Sequence, residues 1–244
     1  MNVKGVEEEL AVWKRQQQRP ESHLKKRIGH LQDAINLKMP KLYHAAATQC
    51  VKMTAEAIMY GIDMSNQLIV KEIRSFSLEE ADQKAVDMFR RYRRMALAEG
   101  IGTGAGGFVA GAMDFPLFLS LKLKALFDVA HLYGFSTATL HDRFFILLLF
   151  QFSYGNRAHR LDVLKEVETY IQFGTINETN WKQLQLQYRD TIDIPKTLQL
   201  LPVVGAVFGG TANYYLFTKL EENTIQLCRM RWLAEFKRAA LEKG

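Results

Sequence analysis

Residues 100–121 read GIGTGAGGFVAGAMDFPLFLSL, an apolar and glycine-rich segment that predicts the centre of the fold. It has a single charge, Asp114, in 22 positions, and it contains six glycines, several of them four residues apart. In water each glycine weakens a helix by about 1 kcal/mol relative to alanine. Helices tolerate such glycines where a second backbone approaches closely. Pro116 predicts the start of a helix, and Gly134 predicts its end near residue 133.

A second segment, residues 197–218, has the same character. It reads TLQLLPVVGAVFGGTANYYLFT and contains no charged residue. Its glycines Gly205 and Gly209 repeat the spacing of Gly107 and Gly111. Two apolar helices with small residues at matching positions are expected to pack backbone against backbone. No alternation typical of strands is sustained elsewhere, so the sequence predicts an all-α, multi-helix domain built around two glycine-rich apolar helices.

The remaining helices are predicted from caps and from apolar periodicity. Ser77 and Glu80 have the spacing of a capping box. Thr139 precedes a further predicted helix, and Asn156 and Asn177 are predicted N-caps. We place a domain boundary between N-terminal basic amphipathic helices in residues 1–38 and a helical domain in residues 39–244. The predicted helices cover residues 3–19, 21–38, 40–62, 78–98, 116–133, 140–153, 157–173, 178–192 and 203–242.

Composition is that of a globular protein, and the cysteines and the first residues lead us to expect it in the cytoplasm. Hydrophobic residues make up 48% and charged residues 24% of the chain, which excludes a disordered or fibrous protein. Cys50 and Cys228 lie far apart in the sequence. We expect them to be buried thiols in a reducing compartment rather than a disulfide. Residues 1–20 lack the apolar run of a secretory signal. We expect no metal and no cofactor, because no zinc-type ligand spacing and no nucleotide-loop motif is present.

The net charge of +6 is concentrated in the first 94 residues, which hold 17 basic and 12 acidic residues. Its densest run is Arg90, Arg91, Arg93 and Arg94, directly before the first apolar segment. We interpret this run as a contact with the anionic inner face of a membrane, worth about 1 kcal/mol per basic residue. A solvated helix face is the alternative. Nucleic acid is not expected as a partner, because no recognised binding motif occurs.

Polar residues within the apolar segments allow two interpretations. In the first, Asp114 caps the helix begun by Pro116 or pairs with Arg143. In the second, Asp114, Asn213 and Glu99 converge in a polar pocket between the two glycine-rich helices, with Arg143 beside them. An ionised carboxylate in an apolar site needs such partners, because its burial is otherwise costly. A pocket of this kind could serve a hydrolase acting on a peptide or lipid.

The quoted segments, together with HDRFFILLL at residues 141–149, resemble the EcsC family over roughly residues 40–235. That family takes its name from the third protein encoded with the Ecs ABC transporter of Gram-positive bacteria. The resemblance implies an intracellular helical protein associated with an ABC exporter system, and it transfers no catalytic residue. The positions that match the family pattern are Glu99, the glycines of residues 104–111, Asp114, Pro116, Gly134, Arg143, Gly205, Asn213 and Arg231.

The sequence therefore favours a non-enzymatic accessory protein at the inner membrane face over an enzyme. The hydrolase with a pocket around Asp114 is one alternative. A small integral membrane protein is another, because each apolar segment is long enough to span a bilayer. Against membrane insertion, Asp114 and Pro116 interrupt the first segment, and Pro202 and Asn213 interrupt the second.

Overall fold

Six helices make up the part of the chain described by the computed structural model, which comprises residues 3–19, 76–103, 107–155, 157–173 and 210–242. No strand occurs within these ranges, and the predicted all-α class is confirmed. The helices are α1 (Val3–Gln18), α2 (Leu78–Thr103), α3 (Gly107–Leu132), α4 (Leu140–Tyr154), α5 (Arg157–Phe173) and α6 (Gly210–Leu241).

Two of these helices begin with reciprocal caps, and the first of them, at Ser77 and Glu80, is the one that the sequence predicts. At the start of α2 the Ser77 backbone N–H donates to Glu80 Oε2 at 2.8 Å, and the Glu80 N–H donates to Ser77 Oγ at 3.3 Å. These bonds lower the pKa of Glu80, because they favour the ionised carboxylate. Thr139 and Asp142 make the same exchange at the start of α4. Each cap satisfies amide donors that the first turn would leave unpaired.

The predicted start of α3 at Pro116 is wrong. The helix begins at Gly107 and continues through Pro116, so the proline lies in its interior. A proline there removes one helical hydrogen bond, a loss that a helix of 26 residues can accommodate. Asp114 consequently lies within α3 and does not cap a helix begun by Pro116.

The end of α3 follows its sequence signal closely. Gly134 has φ of +81°, the left-handed conformation that only glycine adopts without strain. Its N–H donates to the His131 carbonyl at 2.8 Å, and the Phe135 N–H donates to the Ala130 carbonyl at 3.0 Å. These two bonds form a Schellman motif, which turns the chain toward α4.

Helix α6 is the centre of the packing, because it contacts each of the other five described helices. Its most extensive contacts are with α2 and α4, while α2 also packs along α3 and α4 along α5. Helix α4 lies in the interior, since every residue of its FFILLLF run at 144–150 is buried. Burying one phenylalanine stabilises the fold by about 1.5–3 kcal/mol. The core contains the fully buried rings of Phe89, Phe127, Phe145, Phe152 and Phe217.

Helices α2 and α3 are also joined by a buried polar contact. The Tyr92 hydroxyl donates to Asp128 Oδ2 at 2.5 Å, and the Lys124 ammonium lies 3.7 Å from the same oxygen. Burial and the neighbouring Asp128 carboxylate both raise the pKa of Tyr92. The contact pairs a carboxylate whose side chain is 2% exposed, which removes most of the cost of burying it.

The glycine-rich segments are described only in part. Residues 107–121 lie in α3 and residues 210–218 in α6, but residues 197–209 lie outside the described residues. Their predicted backbone contact therefore stays a prediction, as does the domain boundary after residue 38. The predicted helices at 21–38, 40–62 and 178–192 fall outside the described ranges as well.

No described helix combines the length and the apolarity that a bilayer span requires.

Replacing Gly134 with alanine should destabilise the protein by about 1 kcal/mol, because an L side chain is strained at this φ. A Cβ built at Gly134 meets no atom within 4 Å, so the cost is conformational rather than steric. Gly134→Asn should lose less stability than Gly134→Ala, since asparagine tolerates the left-handed region better than alanine does. Urea denaturation followed by circular dichroism measures both variants. Equal stability of the alanine variant and the wild type would contradict the assignment.

Candidate functional site

A polar groove of about 660 Å³ lies where α1, α2 and α6 meet. The lining residues of α1 and α2 have three- and four-residue spacings, which place them on one face of each helix. The groove is lined by Trp13, Gln16 and Gln17 of α1, by Glu79, Asp82, Gln83 and Val86 of α2, and by Glu221, Glu222, Asn223, Ile225, Gln226 and Arg229 of α6.

One end of the groove is closed by an ion pair that joins three helices. Arg229 of α6 approaches Asp82 Oδ2 of α2 through both Nε and NH2 at 2.9 Å. Its NH1 donates to Glu9 Oε2 of α1 at 2.9 Å. Tyr133, directly after α3, donates its hydroxyl to the other Asp82 oxygen at 2.5 Å. We call Glu9, Asp82, Tyr133 and Arg229 the Asp82 cluster.

The electrostatics of the Asp82 cluster are those of a structural contact. Burial alone would lower the pKa of Arg229, but the hydrogen bond and charge of Asp82 outweigh it and raise that pKa. Burial raises the pKa of Tyr133 well above its ordinary value, with further contributions from Cys228 and Asp82. Buried Cys228, next to Arg229 in the chain, also has a raised pKa because of its burial. With both oxygens occupied, Asp82 is poorly placed to act as a general base.

The other end of the groove holds a second inter-helix ion pair. Arg93 NH1 of α2 lies 3.0 Å from Glu221 Oε2 of α6 and donates to Thr218 Oγ1 at 3.1 Å. Both charged side chains are nearly buried, at 12% and 13% exposure. Burial raises the pKa of Glu221, although the Arg93 charge opposes that shift. This pair fixes α2 against α6 beside the groove.

Chemically, the groove is equipped for binding. Its amide side chains can each donate and accept hydrogen bonds, and its exposed carboxylates Glu79 and Glu222 add negative charge. Within the described ranges no three His, Cys, Asp or Glu side chains are grouped to hold a metal ion. The amide residues are Gln16, Gln17, Gln83, Asn223 and Gln226.

The predicted pocket around Asp114 is not tested by these contacts. Glu99, Asp114 and Asn213 lie on α2, α3 and α6, but their side chains are outside the described part of the structure. Arg143 is described, and its NH1 donates to the carbonyls of Thr137 at 3.1 Å and Ala138 at 2.9 Å. Arg143 therefore stabilises the turn before α4 through these two hydrogen bonds.

The four predicted surface arginines fall into two groups. Arg90, Arg91 and Arg94 are exposed, and Arg90 pairs with Asp87 of the same helix at 2.7 Å. Met95 beside them is a large apolar residue with 47% exposure. Arg93 instead turns inward to Glu221, so it does not share their surface. We call Arg90, Arg91, Arg94 and Met95 the arginine patch.

Arg231 occupies a second charged position on α6. Its guanidinium carbon lies 4.2 Å, 4.9 Å and 5.3 Å from the ring centres of Phe135, Phe145 and Tyr170, and its Nε donates to Glu235 at 2.7 Å. Three rings around one guanidinium stabilise a nearly buried cation through cation–π attraction. Arg231 matches the family pattern noted above, and the structure shows it holding α4 and α5 to α6.

Sequence reasoning missed the polar groove and the Asp82 cluster. The signal available for α2 was a set of polar residues at positions 79, 82 and 83, spaced as one helical face. A polar stripe of that kind is ordinarily a solvated surface. Only the approach of α1 and α6 makes it one wall of a groove.

Comparison with known proteins gives a consistent assignment. The model of the EcsC protein family matches residues 4–233. The chain is similar to Protein EcsC of Bacillus subtilis (strain 168), with 35% identity over 228 residues, which cover 93% of this chain and 95% of that protein. It is also similar to the uncharacterised protein YdbA of the same organism, with 29% identity over 87% of this chain and 79% of that protein. No solved structure matches.

Asp82→Ala should destabilise the protein by about 3 kcal/mol, because it leaves the half-buried Arg229 and Tyr133 without their shared acceptor. Tyr133→Phe should cost only about 1 kcal/mol, the net value of one hydrogen bond. Asp87→Ala is the matched control, since it removes an exposed ion pair on the same helix and should be nearly neutral. Denaturation midpoints provide the comparison, and equal losses for Asp82→Ala and Asp87→Ala would disprove the role of the cluster.

Alkaline pH should unfold the protein through its buried tyrosines. Burial raises the pKa of Tyr92, Tyr133 and Tyr154, and it raises that of Tyr170 to about 12. A tyrosine whose pKa is raised in the folded state stabilises that state fully while the pH is below its pKa in the unfolded chain, near 10. This contribution to stability is lost as the pH rises further. Absorbance at 295 nm should show these four tyrosines ionising together with loss of helical dichroism. Ionisation of all nine tyrosines with the helices intact would contradict this.

Proposed function

The chain belongs to the EcsC family, and from this premise we propose that it is a non-enzymatic accessory protein of an ABC transporter system at the cytoplasmic face of the membrane. The family resemblance supports the link to a transporter system. The arginine patch on α2 supports the membrane surface as the place where the protein works.

The arginine patch combines the two properties that bind an anionic bilayer surface. Arg91 and Arg94 are exposed and three residues apart, so they lie on one side of α2. Met95 follows one turn after Arg91, with 47% of its surface exposed. The arginines are attracted to anionic headgroups by about 1 kcal/mol each, and the methionine can enter the interfacial region.

The patch is presented on a rigid element. Arg93, in the middle of the run, is nearly buried and holds α2 to Glu221 and Thr218 of α6. Because one arginine of the run fixes the helix, its neighbours keep a constant orientation toward a surface. The hydrolase alternative, with Glu99, Asp114 and Asn213 in a pocket, stays a prediction because those side chains lie outside the described residues.

The double variant Arg91→Glu with Arg94→Glu should abolish most binding to vesicles of mixed phosphatidylglycerol and phosphatidylcholine at low salt. We expect the wild type to sediment with these vesicles, and its bound fraction to fall steeply as salt is raised, because exposed charges are screened. Vesicles of phosphatidylcholine alone should bind little of either protein. Cosedimentation measures the bound fraction.

Arg15→Glu with Lys165→Glu is the matched control, because it makes the same change in charge at exposed positions of α1 and α5. This control should bind like the wild type. Equal loss in both double variants, or no binding by the wild type, would disprove the role of the patch. In cells, a transporter subunit that crosslinks to the wild type but not to the patch variant would support the transporter half of the proposal.

A further inference from the structure

We propose that the polar groove between α1, α2 and α6 is a binding site for a short basic peptide segment of a partner protein. This site is separate from the arginine patch and does not depend on the proposed membrane role. The proposal rests on the charge of the groove, on an unsatisfied amide oxygen and on the dimensions of the groove.

Charge in the groove favours a cationic ligand. Its lining has four carboxylates and one guanidinium. Asp82 is neutralised by Arg229 and Glu221 by Arg93, which leaves Glu79 and Glu222 at the rim, both exposed. Arg229 adds no free positive charge, because it is shared between Asp82 and Glu9. A lysine or arginine side chain of a partner would pair with the rim acids.

Buried amides point to a ligand that itself carries hydrogen-bond donors. Asn223 lines the groove with only 6% of its surface exposed. The Gln226 Oε1 atom is buried and has no hydrogen-bond partner among the described residues. Native proteins rarely leave such an acceptor unsatisfied, because its desolvation costs about 1–3 kcal/mol. Backbone N–H groups of a peptide are suitable donors.

Dimensions and apolar surface fit a peptide of a few residues. A volume of about 660 Å³ lies within the range of roughly 300–1,000 Å³ that small-ligand sites occupy. Trp13, Val86 and Ile225 supply apolar surface among the polar groups. The methylene stem of a lysine can lie along such surface, and its ammonium can approach the indole face of Trp13.

Helix α2 separates the two proposed partners by charge. Its N-terminal half lines the acidic groove, and its C-terminal half carries the arginine patch. An anionic lipid surface is attracted to the patch and repelled by the groove, whereas a basic peptide has the opposite preference. Charge reversal in the groove should therefore leave vesicle binding unchanged.

The test uses the full chain and three capped hexapeptides, in which alanine alternates with lysine, glutamate or serine. Isothermal titration calorimetry measures binding at low salt, and Trp13 fluorescence reports occupancy of the groove, with Trp13→Phe identifying the signal of that indole. We expect the lysine peptide to bind and to change Trp13 emission. The glutamate and serine peptides should bind at least about tenfold more weakly.

Glu222→Lys should weaken binding of the lysine peptide roughly tenfold, because it replaces an attraction with a repulsion at the rim. Glu8→Lys is the matched control, since Glu8 is an exposed acid of α1 that does not line the groove. Asn223→Ala tests the amide contribution, and circular dichroism confirms that each variant is folded. Failure of the lysine peptide to bind, equal binding of all three peptides, or equal effects of Glu222→Lys and Glu8→Lys would overturn the proposal.

Discussion

The arrangement of the described helices depends on the need to pair two arginines that α6 carries into the interior. Arg229 and Arg231 are two residues apart, so they leave the helix on sides about 200° apart. Burying a guanidinium without partners costs several kcal/mol. Arg229 is paired by carboxylates of α1 and α2, whereas Arg231 is enclosed by rings from the α3–α4 turn, α4 and α5. The two sets of partners therefore place the other helices on opposite sides of α6.

Those same pairings separate structural charge from charge that is open to partners. Asp82, Arg229, Arg93 and Glu221 neutralise one another and hold α2 to α6. At the surface, α2 has the exposed acid Glu79 in its first turn beside the groove and the exposed Arg91 and Arg94 near its middle. A single helix thus presents two chemically distinct surfaces at a fixed separation.

Local features of this fold were predictable from sequence, and contacts between distant segments were not. The capping box at Ser77 and the glycine turn at Gly134 depend on residues within a few positions, and both were predicted correctly. Pro116 was misinterpreted as a start signal, because proline favours the first turn of a helix and α3 instead begins nine residues earlier, at Gly107. Arg93 was indistinguishable from its neighbours in a run of arginines until Glu221, 128 positions later, was placed opposite it. The groove needs three helices together, and no window of sequence contains it.

The central place of α6 has a consequence for biosynthesis. It is the last of the described helices to leave the ribosome, yet the other five pack around it. While it is still being made, the apolar faces of α2 and α4 that it covers are open to water, and Arg229 and Arg231 have yet to meet their partners. The earlier helices therefore complete their packing only after α6 has been synthesised. Until then, chaperones that bind exposed apolar surface would protect the nascent chain.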